Sequence, residues 1–358
     1  MNATTTQVHP EQDGAILRPL PWRRMAGVTW RQHRIALAGV AALLGGLAVL
    51  LWILGLPLHH AWAAAVGCHP ASSPDCQNLV GSFDDSVTDK FMGSKGAGGV
   101  LLQLVPALVG AFVGAPLLAR ELETGTFRFA WTQGFGRWRW ALAKLVALAV
   151  VLAAATAALG AVVAWYYQPY SATGNPPLGL YQNSPFGDLF PLREVTFPAW
   201  TLAAFATAAL AGMLIRRVVP AIVATFVVYG TLAFTTAGLL REHYLTPLVT
   251  TSPNPPATAA IISQWFTSGG QFAFAGNPPA SLSSQIGPCL SAGASKPLAG
   301  GYPQQLAQCL AQHGYTQVTS YQPATRFWPF QWIEGGWLLA LSALLMAVTI
   351  WLVHRRAA

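Results

Sequence analysis

The chain has 358 residues, of which 53% are hydrophobic and only 9% charged, with a mean hydropathy of +0.43. A soluble domain carries about 25% charged residues, so an ordinary soluble fold is excluded and a polytopic membrane protein is indicated. The formal net charge is +8, but the basic residues cluster beside apolar runs, where membrane topology accounts for them. Nucleic-acid binding is therefore set aside.

Residues 1–17 are polar and are expected to lack fixed structure. In residues 18–34, Trp22, Met25 and Thr29 fall at helical spacing, with Arg23, Arg24 and Arg31 elsewhere on the wheel. That pattern predicts an amphipathic helix lying on the inner leaflet, and 1–34 is read as one cytoplasmic unit. Residues 35–240 hold five spans. The first, 35–56, is long enough to cross about 30 Å of hydrocarbon. Residues 59–99 read as a polar loop with Cys68, Cys76, Asp75, Asp84, Asp85 and Asp89. The second span, 100–118, contains Pro106 and Pro116, each lacking a backbone donor, which predicts a kink. In the third, 141–166, Ala153, Ala154, Ala157 and Gly160 suit close approach of another helix. An aromatic, Pro-rich connection follows. The fourth and fifth spans, 197–215 and 218–240, are joined by a tight turn at Arg216-Arg217. Residues 241–331 form the longest segment outside the spans. It is rich in Pro, Gly, Ser and Gln and contains Cys289 and Cys309. Its composition assigns no secondary structure. The sixth span, 332–353, lies in the last unit, 332–358, and is closed by His354-Arg355-Arg356.

Lys and Arg set the orientation. Fourteen of the twenty fall on one side: Arg18, Arg23, Arg24, Arg31 and Arg34, then Arg120, Arg128, Arg137, Arg139 and Lys144, then the pairs Arg216-Arg217 and Arg355-Arg356. The other six are spread over longer loops. The fold class read from this is all-α and polytopic, with six transmembrane helices and both termini cytoplasmic. All four cysteines then fall outside, where disulfides persist. The local pairings are Cys68–Cys76 and Cys289–Cys309, preferred over crossed connectivities by loop separation alone. Free thiols are one alternative and a metal site another, although the spacings form no zinc pattern and no metal is expected.

The chain is organised around residues 117–144, a polar island between two apolar runs that carries Arg120, Glu121, Glu123, Arg128, Arg137, Arg139 and Lys144. Thr124-Gly125-Thr126 stops one helix, and Thr126 is placed to cap the next. A short helix over about 126–133 is predicted at the membrane surface. Glu121 and Glu123 lie about 200° apart on a helix, so they are not a paired-carboxylate site. Arg137-Trp138-Arg139-Trp140 reads as an interfacial anchor.

The Glu-x-Glu-x-Gly-Thr run from Glu121, followed by Trp131-Thr132-Gln133 and an Arg-rich return to Lys144, resembles the first cytoplasmic loop of ABC-2-type transporter permeases. The close match covers about 115–144; elsewhere only the pattern of spans agrees. The resemblance implies an ABC-2-type exporter topology, with a long extracytoplasmic loop between helices 5 and 6. It implies a coupling loop at 119–140 in which Glu121, Glu123, Gly125, Thr126, Phe127, Arg128 and Trp131 meet an ABC ATPase subunit. Two ATPase copies and a second permease half, identical or homologous, are the implied partners, together with the lipid bilayer. ATP and Mg would sit on the ATPase, with no cofactor on this chain. The cargo implied is an amphipathic drug, antibiotic or lipid-like molecule. The 241–331 segment departs from the family in being longer.

Other functional classes fit the sequence less well. None of the four lysines stands in a phosphate-binding Gly-Lys-Ser/Thr loop, so any ATPase is another chain. The ionisable residues Glu334, Lys144 and Arg241 are placed at span ends, and none is expected within, which argues against an ion-coupled carrier. No catalytic residues are identified: the eight histidines lie outside the proposed spans, and no nucleophile has a paired base. The alternatives are a non-transporting sensor or anchor subunit of an ATPase complex and, less favoured, a membrane enzyme. The Arg excess over Lys and the abundant Ala point to a GC-rich bacterial gene and a location in the bacterial plasma (inner) membrane.

Overall fold

A computed structural model describes residues 22–69, 73–93, 102–124, 137–172, 186, 190–252, 256, 259–276, 289 and 304–355. Six helices are long and apolar enough to cross a membrane. They are α1 (Trp22–Gly67), α3 (Val105–Thr124), α4 (Arg137–Ala172), α5 (Thr196–Ile215), α6 (Val218–Thr235) and α8 (Phe327–Arg355). A non-spanning helix, α2 (Pro74–Gly93), follows α1.

The bundle is built around α5. Most of its surface is buried, against α3, α8, α6 and α4. Glycine makes the closest of these packings possible. A Cβ on Gly110 would lie 2.6 Å from the Phe205 backbone nitrogen, one on Gly114 2.6 Å from the Phe205 carbonyl oxygen, and one on Gly212 2.8 Å from that of Ala115. With no hydrophobic drive between helices in lipid, such close van der Waals packing of small residues is what joins them. Of the four small residues expected in this role, Ala154 and Ala157 are exposed and Ala153 is half-buried, whereas Gly160 is buried, where a Cβ would lie 3.4 Å from the Phe197 ring of α5; the tightest approach to α5 is that of α3. Helix α8 packs on α5 through Glu334 and Leu338, with Ser342 and Thr349 buried further along the same face. The hydroxyls of Thr156, Thr201, Thr225, Ser342 and Thr349 each donate to a carbonyl four residues back, which satisfies them within their own helices.

Several helix ends differ from expectation. Helix α1 runs unbroken from Trp22, because residues 28–38 contain neither Gly nor Pro to stop it. Its 46 residues span about 69 Å, more than twice the hydrocarbon thickness. The predicted surface helix is, from Trp22 on, the first turns of α1. At its other end α1 continues through His59 and His60 to Gly67, so much of the expected 59–99 loop is helical. His59 stacks on Trp165 at 4.2 Å and hydrogen-bonds the Trp165 carbonyl at 2.9 Å. Pro106 is the second residue of α3, where its missing donor is not needed; Pro116 alone lies inside.

The long segment between α6 and α8 contains a four-stranded antiparallel sheet in the order β1-β4-β2-β3. The strands are β1 (Leu248–Thr250), β2 (Ala260–Ser268), β3 (Gln271–Phe274) and β4 (Tyr315–Gln322). Val249 pairs with Ser320, Gln264 with Thr319 and Phe266 with Phe274. Gly269 and Gly270, both at positive φ, turn the β2–β3 hairpin. A short helix, α7 (Gln304–Gln312), covers one face, and Phe266, Phe274, Cys289 and Leu310 form a small core there. The all-α reading holds for the bundle, and this sheet is added to it. Polar side chains hid it: Gln317, Thr319, Ser320 and Gln322 are all buried in β4, so the apolar alternation that marks a strand is absent.

Both expected disulfides are present, Cys68–Cys76 with Cα atoms 5.6 Å apart and Cys289–Cys309 at 5.5 Å. The first ties the start of α2 to the end of α1; the second ties α7 to residue 289. The sulfurs of Cys289 and Cys309 lie near His313, but a disulfide occupies both, so the trio is not a metal ligand set.

Candidate functional site

Helices α3 and α4 bracket residues 125–136, so Gly125, Thr126, Phe127, Arg128 and Trp131 lie outside the described residues. The structure does show what holds the ends of α3 and α4 that flank these residues. The Lys144 ammonium on α4 donates to Glu121 Oε1 on α3 at 2.5 Å. Lys144 is 2% exposed, and the Trp140 ring covers it with its centroid 4.0 Å from Nζ. Trp140 is thus turned inward, whereas Trp138 is exposed with the Arg139 guanidinium 5.4 Å from its ring. Glu123 does something different. Its Oε1 accepts the backbone N–H of Val218, the first residue of α6, at 3.0 Å. A carboxylate there satisfies a donor that has no partner within the helix and meets the positive end of the helix dipole. Arg216, in the left-handed region at φ 59°, ends α5 just before. The wide angle between Glu121 and Glu123 therefore has a purpose: one reaches α4, the other α6.

At the opposite, sheet end of the bundle a second polar assembly is buried. Glu334 on α8 is fully buried. Its carboxylate accepts from Trp200 Nε1 at 2.9 Å, from Arg241 Nε and Nη2 at 3.1 Å each, and from the Tyr244 hydroxyl at 3.5 Å. Trp337 Nε1 donates in turn to Tyr244 at 3.1 Å. Burial, with the Glu334 charge second, pushes the Tyr244 hydroxyl up to about 12. The Arg241 guanidinium lies 4.6 Å from the Phe190 ring. Arg241 follows a π-helical turn, Thr236–Leu240, that re-aims the end of α6. Gln331 accepts from the Thr196 backbone N–H at 3.0 Å and donates to the Phe190 carbonyl, fixing the start of α5 to α8.

Beside this network is a cavity of about 440 Å³. Trp200, Phe226, Tyr229 and Phe330 line its bundle side, and Ala260, Ile262 and Gln322 of the sheet roof it. The Tyr229 hydroxyl donates to the Gln103 carbonyl at 2.9 Å. A third polar cluster, Arg193 with Glu194, sits in the turn before α5. Glu194 has φ 35°, a strained value for this residue type, and burial raises its carboxyl pKa.

Sequence reasoning placed Glu334 and Arg241 at span ends without joining them. They are 93 residues apart, and several other charges on the same side, Arg193, Glu194, Glu242 and Arg326 among them, left the pairing open. The Glu121–Lys144 pair, 23 residues apart, was equally unjoined. The histidines near the first span's outer end do not gather as a reactive set, since His59 is held against Trp165.

No curated protein and no solved structure matches the chain significantly. A family model does: the one described as ABC-2 membrane transporter related matches residues 41–241, from within α1 to the end of α6. That stretch takes in part of α1, the whole of α3, α4, α5 and α6, and both Glu121 and Glu123, and the chain belongs to this family of membrane-spanning transporter components.

Proposed function

We propose that this chain is the permease subunit of an ATP-driven exporter whose ATPase is a separate chain. The observation that carries the reading is the double fastening of α3 at the base of residues 125–136, through Glu121 to Lys144 and through Glu123 to Val218. Residues 125–136 form the coupling element. Glu121, Glu123, Gly125, Thr126, Phe127, Arg128 and Trp131 contact the ATPase. Two ATPase copies bind ATP and Mg, and a second permease half, identical or homologous, completes the pathway. When the docked loop moves, α3 carries α4 and α6 with it through those two carboxylates, and α5 through close packing at Gly110 and Gly114. The Arg-rich end of the bundle faces the cytoplasm of a bacterial cell, and the cargo is amphipathic.

The test is co-purification in mild detergent from the native membrane, with wild type beside Phe127→Ala/Arg128→Glu. Recovery of an ATPase that the variant loses, while its unfolding temperature is unchanged, supports the reading. Failure to recover any ATPase across several detergents and nucleotide states overturns it. A sensor subunit is the second reading, favoured by the sheet that roofs the outer cavity. Vanadate-sensitive transport in proteoliposomes separates the two, since a sensor binds its ATPase without moving cargo.

A further inference from the structure

The cavity under the sheet has an electrostatic character of its own. Its charged lining residues are Arg241 and Glu242. Arg241 is neutralised by Glu334 through two hydrogen bonds. Arg326, on the sheet side, donates to two neutral oxygens, the Thr246 carbonyl and Gln322 Oε1; it keeps its charge but is not among the residues that line the cavity. Glu242 is exposed, and no cation pairs with it among the described residues. The lining therefore carries one uncompensated negative charge. Its walls are aromatic, with Phe186, Trp200, Phe226, Tyr229 and Phe330 all facing the space. Ring faces attract cations, more strongly where water is excluded. The volume of about 440 Å³ lies in the range of small-molecule sites. Gly230 opens onto it, and a Cβ there would meet nothing within 4 Å.

We infer that this cavity binds an amphipathic organic cation, with the apolar body among the aromatic rings and the positive centre toward Glu242. The π-helical turn and the Glu334–Arg241 network set the geometry: they hold Arg241 against α8, so the guanidinium is spent on Glu334 and does not repel the ligand. The inference rests on the permease reading for its meaning, since it names the cargo class, but binding needs neither ATPase nor transport.

The test uses the full chain in lipid nanodiscs, with tetraphenylphosphonium and tetraphenylborate as probes of matched shape and opposite charge. Binding is read by equilibrium dialysis after subtracting protein-free nanodiscs. Phosphonium is expected to saturate at one per chain and to bind about tenfold tighter than borate. Glu242→Gln, at an exposed position, should weaken phosphonium about fivefold and leave borate unchanged or tighter. Gly230→Phe, which projects a ring into the space, should abolish phosphonium binding without lowering the unfolding temperature. Equal or tighter binding of borate overturns the inference, as does phosphonium binding indifferent to both substitutions. Loss of phosphonium preference alongside intact ATPase co-purification defeats this inference alone. A saturable phosphonium site without any ATPase partner leaves it standing and defeats the permease reading.

Discussion

At the sheet end of the bundle, Glu334 is satisfied by Trp200, Arg241 and Tyr244, which come from α5 and the end of α6, and none of its surface reaches solvent. At the Arg-rich end, Glu121 receives one bond, from Lys144, and its side chain is 22% exposed. A buried carboxylate with both oxygens filled by several donors cannot part from one of them without stranding charge in a low dielectric. Glu121, with one partner and some water, parts at lower cost, the larger penalty there falling on the buried Lys144 ammonium. The sheet end is therefore the fixed end of the bundle and the Arg-rich end the yielding one, which suits a motion that enters through residues 125–136.

The largest effect should come from the fixed end. Glu334→Leu strands the Arg241 guanidinium, whose side chain is 13% exposed, and breaking a buried pair from one side costs about 3–5 kcal/mol. A matching fall in the thermal unfolding midpoint in detergent is expected. The double variant Glu334→Leu/Arg241→Leu should recover most of that loss, because it removes both charges. If the single substitution is neutral, the contrast between the two ends fails. Next is the sheet itself. The Cys289–Cys309 bond closes a sequence separation of 20 residues, and a loop of that size contributes about 3 kcal/mol in the chain-entropy model. Cys289→Ser/Cys309→Ser should raise hydrogen exchange in β2, β3 and α7 while leaving α3 and α5 protected. Deprotection of the helices as well would mean that sheet and bundle unfold as one unit.

The yielding end should respond less. Lys144→Met leaves Glu121 partly hydrated, so a cost of about 1–2 kcal/mol is expected, clearly smaller than for Glu334→Leu. A double-mutant cycle with Glu121→Gln should return a coupling energy of about 1 kcal/mol. A Lys144→Met variant that folds yet no longer shows cargo-stimulated ATP hydrolysis in the assembled complex would locate the mechanical link at this pair. One that retains full stimulation would move it elsewhere.

What the sequence showed of this molecule divides along the same line. The spans were legible because burial in lipid demands long apolar runs, and the ends of α3 and α4 that flank residues 125–136 because a burst of charge interrupts two such runs. Helix α5 was legible as a span, but not as the centre of the bundle. Its apolarity is all-round, so no face announces a neighbour, and Gly110 and Gly114 on α3 were passed over for the more numerous alanines of α4. The sheet was invisible because Gln317, Thr319, Ser320 and Gln322 turn inward, where a strand pattern wants apolar residues. The buried pairs were invisible for a different reason: separations of 93 and 23 residues are closed only by tertiary structure.

The smallest expected effect tests the least obvious contact. Glu123 lies two residues beyond Glu121 and is exposed, so its position alone suggests a solvated charge. Its acceptance of the Val218 N–H makes it a cap for α6 supplied by another helix. No side chain of α6's own flanking residue, Arg217, performs that role. Glu123→Ala should then cost about 1 kcal/mol, as loss of an N-cap does, and Glu123→Gln less, since the amide oxygen still accepts the hydrogen bond but lacks the charge that meets the helix dipole. The local measurement is amide exchange at Val218 and Val219, which should quicken in Glu123→Ala and not in Lys144→Met. If both substitutions quicken it equally, the two carboxylates act as one unit, and the base of the loop is a single clamp rather than separate ties to α4 and α6.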